Sequence, residues 1–174
     1  MDITDIQTFI RDIANFPAPG ITFRDITPLL GDPDGLRSSL DMLADLGRSM
    51  EATAVVGIES RGFLFGVPVA DRLGLGFAPM RKPGKLPFDV ISQRYELEYG
   101  SDTLELHIDA VGPGDRVLIV DDVLATGGTA AAAVSLVQAA GAAVAGCLFL
   151  VELGALGGRS RLGSCPVASL LTYP

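Results

Sequence analysis

The stretch Arg116–Thr129, R-V-L-I-V-D-D-V-L-A-T-G-G-T, decides how the rest of the chain is read. Val117 to Val120 is an unbroken apolar run, mostly β-branched, which is the pattern of a strand buried on both faces. Asp121 and Asp122 follow, then Ala125-Thr126-Gly127-Gly128-Thr129, then an alanine-rich run of helical composition to Ala140. Strand, acidic pair, small-residue loop and helix is the layout of a phosphate site. Glycines let backbone N–H groups close on an anion, threonine hydroxyls add donors, and the helix N-terminus contributes partial positive charge. Two carboxylates cannot face a phosphate directly, so the pair is expected to face hydroxyls or a metal. No G-x-x-x-x-G-K-[ST] occurs, no lysine lies near the loop, and no G-x-G-x-x-G follows a strand, which sets those nucleotide-binding loops aside.

Downstream, the helix is expected to stop at Gly141, and Val144 to Val151 reads as a further apolar strand. Residues 123–151 carry no charged residue, a length that by itself would cross a bilayer. The Gly/Thr loop, Ser135, Gln138 and the break at Gly141 point instead to a loop, a helix and a strand. Glu152-Leu153-Gly154, a glycine-rich stretch to Arg161 and a last apolar segment, Val167 to Leu171, complete the C-terminal part.

Upstream, Gly112-Pro113-Gly114-Asp115 turns into the central strand. Tyr95 to Tyr99 and Thr103 to Ile108 alternate around Gly100-Ser101-Asp102, a β-hairpin signal. Arg81 to Phe88, R-K-P-G-K-L-P-F, holds both lysines of the chain, Lys82 and Lys85. Their confinement beside Arg81 suggests an anion site, since a solvated surface would scatter them. Gly76 to Met80 and Ala54 to Ile58 read as apolar strands. The second of these ends in Glu59-Ser60-Arg61-Gly62, and a helix is expected from about Phe63 to Leu73, stopped by Gly74. Asp32-Pro33 is an N-cap with proline at N1, opening a helix to about residue 50. Three prolines and Gly20 within Asn15–Leu30 forbid a long regular element there. Phe16, Ile21, Phe23 and Ile26 nonetheless require that this segment pack, as an irregular flap. At the start, Thr4-Asp5-Ile6-Gln7 reads as a capping box for a helix carrying Ile6, Phe9, Ile10 and Ile13.

Strands alternating with helices, the strands apolar throughout, predict an α/β fold with an open, mainly parallel twisted sheet flanked by helices. Ligands bind such sheets at the carboxyl ends of the strands. Glu59–Arg61, Arg81–Lys85 and Asp121–Thr129 all fall there.

The bulk properties narrow the class. A chain of 174 residues with formal charge −8 is one domain with a real core. Its acidic balance, with a pI of about 4.5, argues against a nucleic-acid surface or an anionic membrane as partner. Asp2, Asp5, Arg11 and Asp12 charge the N-terminus, so no signal peptide is expected and the expected location is cytoplasmic. Cys147 and Cys165 have no metal spacing and read as reduced structural thiols. His107, the single histidine, is assigned no role.

The order of apolar strand, two acids, two variable residues and A-T-G-G-T resembles the phosphoribosyl pyrophosphate (PRPP) loop of the type I phosphoribosyltransferases. F-P-A-P-G-I-T-F-R-D-I-T-P-L-L, E-S-R-G-F-L-F-G, R-K-P-G-K-L-P and Y-E-L-E-Y-G stand in that family's order, covering about Phe16 to Leu153. F-R-D-I and Y-E-L-E-Y-G resemble its adenine branch. The resemblance implies a purine salvage enzyme that converts adenine and PRPP to AMP and pyrophosphate with Mg²⁺. It implies one domain over residues 1–174, with a small hood over about 1–34, a core over about 35–174 and a mobile β-hairpin. Asp121 and Asp122 would hold the ribose hydroxyls, and Ala125, Thr126, Gly127, Gly128 and Thr129 the 5′-phosphate. Glu59, Ser60, Arg61, Arg81, Lys82 and Lys85 would surround the pyrophosphate. Arg61 and Glu98 would be catalytic, Glu98 sharing a purine proton from the hairpin. Phe23 would stack on the base, the backbone of Thr22 and Arg24 would read its edge, and Leu153 would close the other face. Position 22 is more often a β-branched aliphatic in that family, so Thr22 would matter through its backbone alone. Arg81 would reach a neighbouring subunit, implying a homodimer. The metal would arrive on PRPP, with no protein cage of its own. Two alternatives stay open: transfer to another purine (xanthine, hypoxanthine or guanine), and a PRPP-sensing regulator of the same fold.

Overall fold

The computed structural model describes residues 1–96 and 100–174, in two compact units, Met1–Met42 and Leu43–Pro174. In the first, helix α1 (Ile3–Thr8) is capped by Asp2, whose side chain accepts from the N–H groups of Thr4 and Asp5 while Asp5 accepts from the N–H of Asp2. The capping box therefore starts two residues before the predicted one, and the helix ends before Ile13. Arg11–Ala14 forms strand β1 instead, paired antiparallel with β2 (Thr22–Asp25). Local helical spacing lost to a cross-strand partner, a tertiary override of pattern. Two ion pairs, Arg11–Asp25 and Arg24–Asp12, link the strands, and Phe16 meets Phe23 edge-on at 5.3 Å. The expected irregular flap thus holds a four-residue strand and one short helix, α2 (Thr27–Gly31). Asp32 accepts from the N–H groups of Asp34 and Gly35 and starts α3 (Pro33–Arg48), as its N-cap signal predicts.

The second unit is built on a five-stranded parallel sheet. Its strands are β3 (Ala54–Ile58), β4 (Gly76–Met80), β7 (Arg116–Leu124), β8 (Ala143–Leu153) and β9 (Val167–Tyr173), in the order β4-β3-β7-β8-β9. Between β4 and β7 the chain makes the antiparallel hairpin β5 (Val90–Glu96) and β6 (Ser101–His107). That pairing corrects the predicted turn: Ser101 and Asp102 lie in β6, opposite Glu96 and Tyr95. Strand β7 is longer than its apolar run, so Asp121 and Asp122 sit inside the strand. Helix α4 (Gly62–Leu73) ends at Gly74 in the left-handed region, φ 68°. Helix α5 (Gly128–Ala139) follows the A-T-G-G-T loop, and the charge-free run resolves into loop, helix and strand as expected.

One face of the sheet packs Val56, Ile58, Val117, Ile119 and Phe149 against Ala130, Ala133, Leu136 and Val137 of α5 and against Leu104 and Leu106 of the hairpin. The other positions of the strands are buried too: Val55, Leu118, Val120, Leu148 and Leu150 are all fully covered. Burial on both faces is why these strands read as continuous apolar runs. Sequential strands run outward on opposite sides of β3 and β7, so the order reverses between these two. A crevice opens at their carboxyl ends at such a point.

Candidate active site

That crevice is a cleft of about 340 Å³, lined by Glu59, Ser60, Arg61, Lys82, Tyr95 and residues 121–130. Most lie at or beyond the ends of the parallel strands, and Tyr95 comes from the hairpin. β3 delivers Glu59–Arg61, β4 delivers Lys82, and β7 delivers the acidic pair and the loop. Gly62 makes the approach possible: a Cβ there would lie 2.8 Å from Asp121 Oδ1 and 2.9 Å from Val120 O. Gly127 takes φ 82°, and Gly128 opens α5, with no side chain capping its first turn. The N–H groups of that turn are thereby left to a ligand, which is the anion-binding property of a helix N-terminus.

The acids are placed very differently. Asp122 is 4% exposed. Its Oδ2 lies 2.8 Å from Arg61 Nε. Burial pushes its pKa up, with the guanidinium opposing. Asp121 is pushed well above the usual carboxylate range by burial and then by the Asp122 charge beside it. Its Oδ1 accepts from the N–H of Asp122 at 2.9 Å. Among the described residues no group of three or more His, Cys, Asp or Glu side chains could hold a metal ion.

The basic loop is held from below by Glu59. Its carboxylate meets Arg81 Nε at 3.2 Å and the N–H of Lys82 at 2.8 Å, and it also pairs with Lys85. Burial would raise the Glu59 pKa, but Lys85, the Lys82 N–H and Arg81 together lower it to about 2. Glu59 is therefore a counter-ion to the cations, which refines its expected place on the pyrophosphate. Lys82 pairs with Asp102 and donates to the Tyr95 hydroxyl at 3.1 Å, and Thr129 Oγ1 donates to the same hydroxyl at 3.5 Å. Tyr95 opens the Y-E-L-E-Y-G stretch and Asp102 sits in a turn signal, but neither is placed in the site by its local sequence. They enter the site because the hairpin register puts them opposite each other.

Arg81 and Lys85 border the cleft through Glu59 and do not line it. Thr22, Phe23 and Arg24 lie together on β2 in the first unit, and Leu153 lies half-buried at the end of β8 in the second. Glu98 is outside the described residues. His107 accepts from the N–H of Phe88 at 3.3 Å, a structural contact. Cys147 and Cys165 are unbridged, their sulfurs 3.8 Å apart. No described helix is long and apolar enough to cross a membrane.

The family model described as the phosphoribosyl transferase domain matches residues 38–162. An adenine phosphoribosyltransferase from a Synechococcus species is 57% identical over 97% of this chain and 99% of its own length. The chain belongs to the adenine phosphoribosyltransferase family. Solved structures of the family agree. The enzyme from Thermoanaerobacter pseudethanolicus is 48% identical, with a TM-score of 0.95 over 98% of this chain and 99% of that one. The Saccharomyces cerevisiae enzyme, solved with D-2,5-dideoxy-2,5-imino-altritol 1,6-bisphosphate and adenine, is 41% identical, with a TM-score of 0.89 over 97% of this chain and 98% of that one. The family's parallel sheet is the one described above.

Proposed function

We propose that the cleft transfers the 5-phosphoribosyl group of PRPP to adenine, giving AMP and pyrophosphate. The observation that carries this is the convergence, at one switch point, of an open helix N-terminus, an acidic pair with Asp122 buried, and a set of cations. The three match the three parts of PRPP. The 5′-phosphate lies on the N–H groups and hydroxyls of residues 125–129. Asp121 and Asp122 accept the ribose hydroxyls, and burial and their mutual repulsion raise their proton affinity against the opposing Arg61 charge. Arg61, Lys82, Lys85 and Arg81 answer the pyrophosphate.

Displacement at C1′ builds positive charge on the sugar and negative charge on the leaving group. Cations held ready for the second lower the barrier without reorganising. Arg61 is suited to this because Asp122 already fixes its guanidinium, and a planar fork grips a diphosphate at two points. The two clustered carboxylates fit Mg²⁺ only as partners to an ion that keeps phosphate oxygens, hydroxyls and water as its ligands. When bound with PRPP, the ion neutralises pyrophosphate charge.

For adenine the same proposal assigns Phe23 as the stacking ring, the backbone of Thr22 and Arg24 as the reader of the purine edge, and, in the second unit, Leu153. Glu98 shares the purine proton, and closure of the hairpin excludes water. Hood and core act as parts of one catalytic domain. The active form is a cytoplasmic homodimer, a reading supported by Leu64 and Val67, exposed one turn apart on α4. The deciding assay follows AMP and pyrophosphate from adenine, PRPP and Mg²⁺. AMP formation is expected, and its absence in correctly folded protein overturns the proposal. Sedimentation at micromolar concentration tests the dimer, and a monomer throughout removes that part.

A further inference from the structure

Residues 154–166 connect β8 to β9, with two 3-10 turns at Gly154–Leu156 and Gly158–Leu162. This strap passes against the underside of the 125–129 loop at a spacing that admits no side chain. A Cβ on Gly127 would lie 2.5 Å from Gly158 O. A Cβ on Gly158 would lie 2.9 Å from Gly127 N and would overlap the carbonyl oxygen of Ala125. Two backbones are in contact here, and a shift of one moves the other.

The strap is tied on both sides of that contact. Arg159, the next residue, donates from Nε to Glu152 Oε1 at 2.9 Å and from Nη2 to Glu152 Oε2 at 2.5 Å. Its Nη1 donates to the carbonyl of Val167 on β9 at 2.8 Å. Glu152 is 7% exposed at the carboxyl end of β8, and its Oε2 also accepts from Ser169 at 2.7 Å. Three residues after Arg159, Leu162 is buried in the cluster that holds Ala130 and Ala133 of α5. A bidentate guanidinium–carboxylate pair sets orientation as well as distance. Half of the Arg159 side chain meets solvent, but its acid is buried and the arginine reaches two strands.

We propose that Arg159 and Glu152 are positioning residues for the phosphate loop, acting through the backbone contact of Gly158 with Ala125 and Gly127. The inference rests on the reading of residues 125–129 as the 5′-phosphate site. A loop that binds an anion with N–H groups gains affinity from being held in the bound geometry beforehand. Leu153, on the base side, is held separately by its pairing with Tyr173. Loss of the clamp therefore acts on PRPP more than on adenine.

The test compares Arg159→Met, Glu152→Gln, Arg159→Lys and Gly158→Ala with the wild type, using PRPP and Mg²⁺ in calorimetry and the KM of each substrate in the assay. KM depends on the folded enzyme's affinity and not on how much of it survives, so a merely structural role leaves it unmoved. Arg159→Met and Gly158→Ala are expected to weaken PRPP by about tenfold to a hundredfold, the scale of an ångström of misplacement. The KM for adenine stays within about threefold. Arg159→Lys, which keeps the charge and loses the fork, is expected to be intermediate. If Gly158→Ala does not fold, the Arg159 and Glu152 variants decide. Folded Arg159→Met and Glu152→Gln proteins with wild-type PRPP affinity overturn the proposal, as does an equal loss of both substrates. A wild-type protein that binds no PRPP removes the phosphate-site reading and this inference with it.

Discussion

Asp121 carries the clearest conflict between stability and use. Burial and the neighbouring Asp122 charge raise its pKa in the fold. An acid with a raised folded pKa stabilises the fold most below its unfolded value, and that contribution is lost as pH rises to the folded value. Wherever the pair is ionised it is thus a cost. Asp121→Asn keeps an oxygen for the Asp122 N–H and removes the charge. It is expected to raise the melting temperature by roughly 2–4 °C per kcal/mol recovered, while turnover falls. An unchanged or lower melting temperature contradicts the stated origin of the shift. Asp122→Asn loses a charge-assisted bond to Arg61 and to substrate, worth about 1.5–3 kcal/mol, so kcat/KM for PRPP should fall by roughly one to two powers of ten. Arg61→Ala should cost more than Lys85→Ala, because the lysine is one of several cations sharing Glu59. Small and equal losses in both would detach the basic loop from the reaction.

At the scale of elements, the contact between α4 and β7 is set by one missing methyl group. Gly62→Ala would push the first turn of α4 off Val120 O and Asp121. Overpacking of this kind typically costs about 1–3 kcal/mol, and here it also displaces the acids. Denaturant unfolding beside kcat/KM should show both losses. Stability lost with activity intact would mean that the cleft tolerates the shift. Strand β2 is the element proposed to choose the base. Adenine offers an amino donor beside an N1 acceptor, and hypoxanthine reverses both. A site of fixed backbone groups satisfies one pattern and can reject the other by about 10⁴. Phe23→Ala should damage adenine transfer and Thr22→Val should not. Comparable kcat/KM for the two bases would remove β2 from the base site.

For the whole molecule, two opposing sets of carboxyls shape the response to acid. Glu59 and Asp25 are each lowered to about 2, Asp25 chiefly by the hydroxyl and N–H of Thr27 and then by Arg11. Acids with depressed folded values stabilise above their unfolded values, ordinarily near 4, and lose that contribution as pH falls toward 2. The Asp121–Asp122 pair works the other way, relieving the fold as it gains protons. Melting temperature is therefore expected to rise as that pair takes up protons, and to fall steeply below about pH 4 as Glu59 and Asp25 take up theirs. Differential scanning calorimetry as a function of pH checks it. Asp121→Asn should flatten the rise and Glu59→Gln the fall.

The chain's own pattern determined the parallel sheet, because strands buried on both faces read as continuous apolar runs and glycines such as Gly74 mark where a helix stops. The loop at Asp121–Thr129 was legible for the same reason: an anion site made of backbone needs small residues at a helix start, and these are adjacent in sequence. Local spacing misled at Ile13, where pairing with β2 outweighed helical periodicity, and at Asp102, where hairpin register overrode a turn composition. Only the tertiary structure decided that Glu59 faces the cations of its own basic loop, that Tyr95 joins Lys82 to Thr129, and that Gly158 lies beneath Gly127. Each is a contact between residues far apart along the chain. Their partners follow from how strand ends converge across the sheet, and no pattern within a single element records that.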